Sequence, residues 1–155
     1  MVVHSADGQF LLIERAANPG YWQSVTGSQE QGETLAETAL RELQEETGLV
    51  TQSKICLSGL DQSSYPLNVL VDHQYRTEYE IFPEWRHRYA PGVTQNIEHL
   101  FSFKLASPQI VQLSPSEHHA QTWLTAQAAA SACFSPSNQA AIIHIARQAI
   151  VTNPV

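Results

Sequence analysis

Between Gly27 and Leu49 the chain gathers Glu30, Glu33, Glu37, Glu42, Glu45 and Glu46 around a single cation, Arg41. On a helix that turns about 100° per residue, Glu42, Glu45 and Glu46 fall on roughly a quarter of the circumference. Like charges at i,i+3 and i,i+4 weaken a helix by about 0.2–0.5 kcal/mol per pair, and holding them at the edge of a core costs more. Arg41 can reach Glu45 or Glu37, but one guanidinium cannot balance Glu33, Glu37, Glu42, Glu45 and Glu46 together. A divalent cation completes the balance. Mg2+ takes oxygen ligands, keeps several waters and shares substrate phosphates, which suits a carboxylate cluster, and Mn2+ accepts the same donors. The chemistry implied is the binding of a phosphate-bearing ligand through a shared metal, which would shield the phosphate from the acidic helix. A solvated acidic helix face would explain the glutamates alone, but not the glycines that flank them.

The elements that must position this cluster are legible around it. Thr34 followed by Glu37 forms a capping-box pattern, and Leu35, Ala36, Ala39, Leu40 and Leu43 recur at helical spacing. The spacing predicts a helix from Thr34 to Thr47 that stops at Gly48, with its apolar stripe packed on a sheet beside the carboxylates. Strands are expected at Met1 to Val3 and Gln9 to Glu14 around an Asp7-Gly8 turn, and at Trp22 to Thr26. Others are expected near Lys54 to Leu60, Glu78 to Phe82, His99 to Leu105 and Ala120 to Leu124. Pro83 to Asn96 reads as a long surface loop, and Ala126 to Ala132 as a patch of high helix propensity. The tail from Ser137 to Val151 places Ala141, Ile142, Ile145 and Ala149 on one helical face. Strands interleaved with helices give an α/β (α+β) chain with a mixed sheet between helices.

The order Gly27, Glu33, then Arg41-Glu42-Leu43-Gln44-Glu45-Glu46-Thr47-Gly48-Leu49 resembles the signature of the Nudix hydrolases at every specified position. The resemblance implies a Nudix fold, an α/β/α sandwich with a mixed central sheet, formed by residues 1–155 as one domain. It also implies hydrolysis of a nucleoside diphosphate linked to another moiety. By position, Glu42, Glu45 and Glu46 would be metal ligands, Gly27 would supply a backbone contact near the metal, and Arg41 would orient the glutamates. Glu33 would support the loop or the metal's outer shell. The general base varies among relatives and is left open between Glu46 and Glu117.

Outside the signature, Tyr21 to Ser28, Glu80 to Thr94, Gln109-Ile110-Val111, Glu117-His118 and Trp123-Leu124 are similar to one branch of that family. This branch comprises the bacterial dihydroneopterin triphosphate pyrophosphatases. The resemblance implies loss of pyrophosphate from 7,8-dihydroneopterin triphosphate, a step of folate synthesis, with dATP as a side substrate. It makes Glu117 a further metal ligand or the general base, delivered from a loop opposite the helix. Members of the branch carry a longer N-terminus with a basic residue, so the first strand here is expected to be short.

A triphosphate needs cations beyond the metal, and Arg15, Arg86 and Arg88 stand among only eight Lys and Arg residues. A flat heterocycle needs an aromatic wall and amide hydrogen bonds, for which Trp22, Gln23, Ser24, Trp85, Tyr89 and Asn96 are candidates. Trp22 and Trp85 would serve equally well as anchors of the core or the loop. His87, His118 and His119 could carry protons, although ordinary hydrogen bonding explains a lone histidine more simply. Rival readings are hydrolysis of nucleoside triphosphates, diadenosine polyphosphates or ADP-ribose, and a non-enzymatic nucleotide sensor. Tyr65 and Pro66 lie near a position diagnostic for two of those subfamilies, but the spacing fits neither. Sensors of this type commonly lose glutamates of the signature, and this chain retains them.

The bulk properties agree. A chain of 155 residues with 43% hydrophobic and 15% charged residues can bury one core. A formal charge of -7 argues against a nucleic-acid partner, so the expected partner is a small triphosphate. Cys56 and Cys133 lack the spacing of a zinc or redox motif. No stretch approaches the roughly 20 apolar residues of a membrane span, and the N-terminus lacks the pattern of a signal peptide. A cytoplasmic protein without membrane partners is expected, as a monomer.

Overall fold

Apolar alternation along the strands builds two packed layers on a single sheet. The computed structural model describes residues 1–51, 56–57 and 67–151. The elements are β1 (Val2–Ser5), β2 (Gln9–Arg15), β3 (Trp22–Gln23), α1 (Leu35–Thr47), β4 (Cys56–Leu57) and β5 (Leu70–Glu80). A 3-10 helix (Pro83–Arg88), β6 (Gln95–Leu105), β7 (His118–Thr125), α2 (Ala126–Ala132) and α3 (Pro136–Val151) follow. The strand order is β3-β2-β1-β6-β5-β4, with β7 also paired to β2. The β1–β6 and β4–β5 pairs are parallel and the others antiparallel, so the sheet is mixed. β7 follows β2 from Gln9↔Thr125 to Arg15↔His118, which leaves β1 and β3 to share the other edge of β2.

Because side chains alternate across a strand, Val3, Leu11, Ile13, Phe103 and Leu105 all reach one face, where they meet Leu43 of α1. Val2, Phe10, Leu12 and Leu100 reach the other and pack on Ala129, Ala130, Cys133, Ile142 and Ile145 of the C-terminal segment. The result is the expected α/β/α sandwich. Ile142 and Ile145 bury the predicted face of the final helix. The side chain of Ala149 lies outside the described residues, as do Lys54, Ile55, Tyr65, Pro66 and Ser58 to Leu60.

Several elements depart from the sequence expectation for identifiable reasons. The strand predicted at Glu78 to Phe82 runs instead over Leu70–Glu80. Its first half escapes a period-two reading because Gln74 has φ 49 and the pairing with β6 shifts between Asp72 and Arg76. The strand expected at Trp22 to Thr26 ends at Gln23, because the Ser24 N–H donates to Asn138 rather than to a neighbouring strand. Pro83 to Asn96 is not all loop: a 3-10 helix occupies Pro83–Arg88, and β6 begins at Gln95. The alanine-rich patch is α2, and the last helix starts one residue early at Pro136, where a missing N–H costs nothing. Among the described residues, no helix is long and apolar enough to cross a membrane.

Candidate active site

α1 brings the carboxylates together. Thr34 caps it through a capping box with Glu37, and Gly48 closes it at φ 67 in the left-handed region. Leu43 and Ala39 are buried, and they seat the helix on the sheet. Leu35, expected in the apolar stripe, is instead 38% exposed and lines a cavity, because the helix begins at the rim of the sheet.

Glu46 is 3% exposed, on the inner side of the helix. Its Oε2 accepts the Thr26 N–H at 3.2 Å, and its Oε1 lies 3.1 Å from His118 Nε2, without hydrogen-bond alignment. Among the described residues, both ring nitrogens of buried His118 lack a hydrogen-bond partner. Glu117 approaches from the loop before β7, so that donor atoms of Glu46, Glu117 and His118 lie within 4.8 Å of one another. Glu42 presses against Gly27: a Cβ there would stand 1.8 Å from Glu42 Cδ and 1.9 Å from its Oε1. Only glycine permits this approach.

Arg41 ties the cluster together as the sequence suggested, with one exception. It holds Glu33 through both oxygens at 2.7 and 3.0 Å, Glu42 at 2.8 Å, Glu45 at 3.2 Å and the Ser28 carbonyl at 3.0 Å. Glu37 is spent on the helix cap. Burial raises the Glu42 carboxyl above its ordinary range, with Glu46 and Glu45 adding to it, while Arg41 opposes the rise. Hydrogen bonds from Arg41 bring Glu33 down to about 2 from 4.5, and the guanidinium is raised in turn. The stability that Glu33 adds is therefore complete above about 4.5 and is lost as the pH falls through about 2. Between those limits the melting temperature of the wild type should fall more steeply than that of Glu33→Gln. Parallel melting curves for the two proteins would exclude this linkage.

A cavity of about 540 Å³ opens beside the cluster. It runs from Gly27, Glu42 and Thr38 past Ser24 and Arg15 to Trp85, Arg88 and Tyr89, with Asn96 and Glu98 on its β6 side. Among the described residues, no carboxylate pairs with Arg15 or Arg88, and the Arg15 guanidinium lies 6.0 Å from the centre of the Trp85 ring. Asn96 donates to the Tyr79 hydroxyl at 2.9 Å, and that hydroxyl donates to Glu98 at 3.2 Å. Burial pushes the Tyr79 hydroxyl up to about 12.

Two residues expected at the substrate lie elsewhere. Trp22 is not part of the cavity wall and packs on the core beneath α2 and α3. Arg86 donates to Glu80 at 2.6 Å and to the Ile81 carbonyl at 3.1 Å, so it fastens the 3-10 helix to the end of β5. His119 pairs with Glu14 at 2.9 Å and His87 contacts the Glu84 carbonyl at 2.8 Å, the ordinary roles anticipated for them. His118 goes beyond that role. Tyr79, Glu98, Phe134 and Asn138 enter the cavity wall without any sequence signal, since strand register and the placement of α3 bring them there.

The sequence pattern of the NUDIX domain matches residues 1–144. The chain belongs to the Nudix family. It is 42% identical to dihydroneopterin triphosphate diphosphatase of Escherichia coli over 92% of this chain and 86% of the relative. The enzyme of that name from Haemophilus influenzae is 34% identical over 92% and 82% of the two chains. The solved E. coli dihydroneopterin triphosphate pyrophosphohydrolase superposes with a TM-score of 0.75 at 40% identity, covering 92% of this chain and 89% of that one. Nudix hydrolases generally act with a divalent metal on a small phosphate-containing substrate, and this Nudix hydrolase has a fitting donor set. Buried Glu46, exposed Glu117 and the ring of buried His118 converge on one point, with Glu45 next to Glu46 in the helix and Glu42 one helical turn before it.

Proposed function

We propose that this Nudix hydrolase converts 7,8-dihydroneopterin triphosphate to the monophosphate and pyrophosphate, with Mg2+ as its cation and Mn2+ as a substitute. The observation that carries the reading is the continuity of the site. One cavity joins Gly27 and the carboxylate helix at Glu42 to Arg15 and Arg88 and to an aromatic wall at Trp85, Tyr89 and Phe134. Its volume of about 540 Å³ suits a single small ligand. The names of the relatives that align over most of the chain support the same substrate.

In the proposed mechanism Glu42, Glu45, Glu46 and Glu117 would hold the cation, beside the backbone of Gly27. When bound, the cation supplies charge to the phosphate oxygens and lowers the pKa of water at the site. Arg15 and Arg88 hold the phosphates that face away from the acidic helix. Arg41 keeps Glu42 and Glu45 in place through its fork of hydrogen bonds. The Thr26 N–H fixes one oxygen of Glu46, so the other faces His118 and Glu117. Water attacks phosphorus, its proton passes to the Glu46–Glu117 pair, and the bond to the pyrophosphate oxygen breaks.

A panel with Mg2+, assayed for pyrophosphate from the triphosphates and for nucleotide products from diadenosine tetraphosphate and ADP-ribose, tests the assignment. Dihydroneopterin triphosphate should exceed dATP, diadenosine tetraphosphate and ADP-ribose in kcat/KM by at least about tenfold, or about 1.4 kcal/mol of transition-state stabilisation. A different leading substrate would replace the pterin in this proposal. Tight binding without turnover of any compound would convert the site into a sensor.

A further inference from the structure

Ser24 and Asn138 meet in the cavity wall, and each keeps a hydrogen-bonding group that no other described residue uses. Ser24 is 2% exposed, and its Oγ has no hydrogen-bond partner among the described residues. Asn138, in the first turn of α3, is 7% exposed, and its Oδ1 accepts the Ser24 N–H at 2.8 Å. A backbone N–H only donates, so the atom facing it must be the amide oxygen, which settles the orientation of the side chain. The amino group of Asn138 is then a donor without a partner among the described residues.

Buried polar groups are nearly always satisfied, and an unsatisfied one costs about 1–3 kcal/mol. The Ser24 hydroxyl is such a group, and the Asn138 amide that takes the Ser24 N–H lines the same cavity with its amino group free among the described residues, so a ligand there can meet both. Phe134 and Trp85 line the same cavity with ring centroids 6.1 Å apart at 82°, a rigid apolar corner for a flat ring. Gln23, 4% exposed, donates to Thr26 Oγ1 at 3.1 Å and steadies the segment that carries Ser24. From Ser24 to Gly27 the chain spans at most about 10 Å, so ring and phosphates can be held from one segment.

We propose that Ser24 Oγ and Asn138 Nδ2 read the adjacent carbonyl and ring N–H of the substrate's heterocycle. The Asn138 amino group donates to the ring oxygen, and the Ser24 hydroxyl accepts from the ring N–H. Pterin and guanine rings share this edge. Adenine offers an amino group and a bare nitrogen instead, so its amino group faces a second donor. The proposed function supplies only the pterin in this assignment; the edge is defined by the two side chains.

Asn138→Asp keeps an acceptor for the Ser24 N–H but replaces the free donor by an acceptor. Ser24→Ala removes only the unpartnered hydroxyl. Steady-state pyrophosphate release from dihydroneopterin triphosphate, dGTP and dATP is measured for wild type and both variants with Mg2+, alongside melting temperature. Asn138→Asp should raise KM for the two oxo substrates about tenfold relative to dATP, with a much smaller change in kcat. Ser24→Ala should raise the same KM values about threefold to tenfold without lowering the melting temperature, since one ligand hydrogen bond is lost and no internal one. Unchanged oxo-to-adenine ratios in both variants would overturn the assignment. So would equal losses on all three substrates, which a purely structural role would produce. If Asn138→Asp melts early, Ser24→Ala decides the question alone. If wild type ignores the pterin but the variants still shift dGTP against dATP, the edge reading stands and the pterin reading falls.

Discussion

Glu46→Gln is expected to lower kcat by at least about a thousandfold, the joint effect of a weakened metal site and a lost proton acceptor. Gln nearly matches Glu in shape, and its amide oxygen can still accept the Thr26 N–H that Glu46 Oε2 accepts now. The fold should therefore survive, although the residue is 3% exposed. What disappears is the charge at the point where Glu117 and His118 converge. Pyrophosphate release, circular dichroism and melting temperature on the purified variant check the result together. Turnover near the wild-type rate in a folded protein would remove Glu46 from the proposed machinery.

Gly27→Ala should rank second. The added methyl would lie 1.8 Å from Glu42 Cδ, a separation no relaxation of the methyl itself can relieve. Glu42 must swing away, and its 2.8 Å bond with Arg41 goes with it. A displacement of about 1 Å in a positioning group can cost about a hundredfold in rate, and we expect at least that loss here, with a raised Mg2+ requirement. The obstacle is the end of a side chain rather than backbone, so the melting temperature should change little. A Mg2+ titration of turnover separates the two effects: full recovery at high Mg2+ would show that Glu42 serves affinity alone.

How much of this was readable in the chain depended on the range of the forces involved. α1 was legible to within a residue because its signals are local: Thr34 and Glu37 satisfy each other, and Gly48 stops the helix one turn beyond Gln44. The Arg41 contact with Glu45 was legible for the same reason, being an i,i+4 pair, whereas its bond to Glu42 was not. β5 was half legible. Its second part alternates, while its first is carried by pairing with β6 across an irregularity at Gln74. Trp22 was ambiguous by nature, since an indole suits a core as well as a ligand, and the approach of α2 and α3 put it in the core.

The sequence by itself determined the helix, its cap and stop, the spacing of Glu42, Glu45 and Glu46, and with them membership of the Nudix family. Hydrogen bonds within a few residues and a fixed helical pitch settle such features before any tertiary contact forms. Tertiary structure alone decided which groups complete the site. Sheet pairing brought His118 to Glu46, and Gly27 came to lie against Glu42. Arg86 found Glu80, whereas Arg15 and Arg88 were left facing the cavity. Ser24 and Asn138 stand 114 residues apart and meet only because α3 packs back over the sheet. Long-range register and packing set these neighbours, and no local pattern in the residues encodes them.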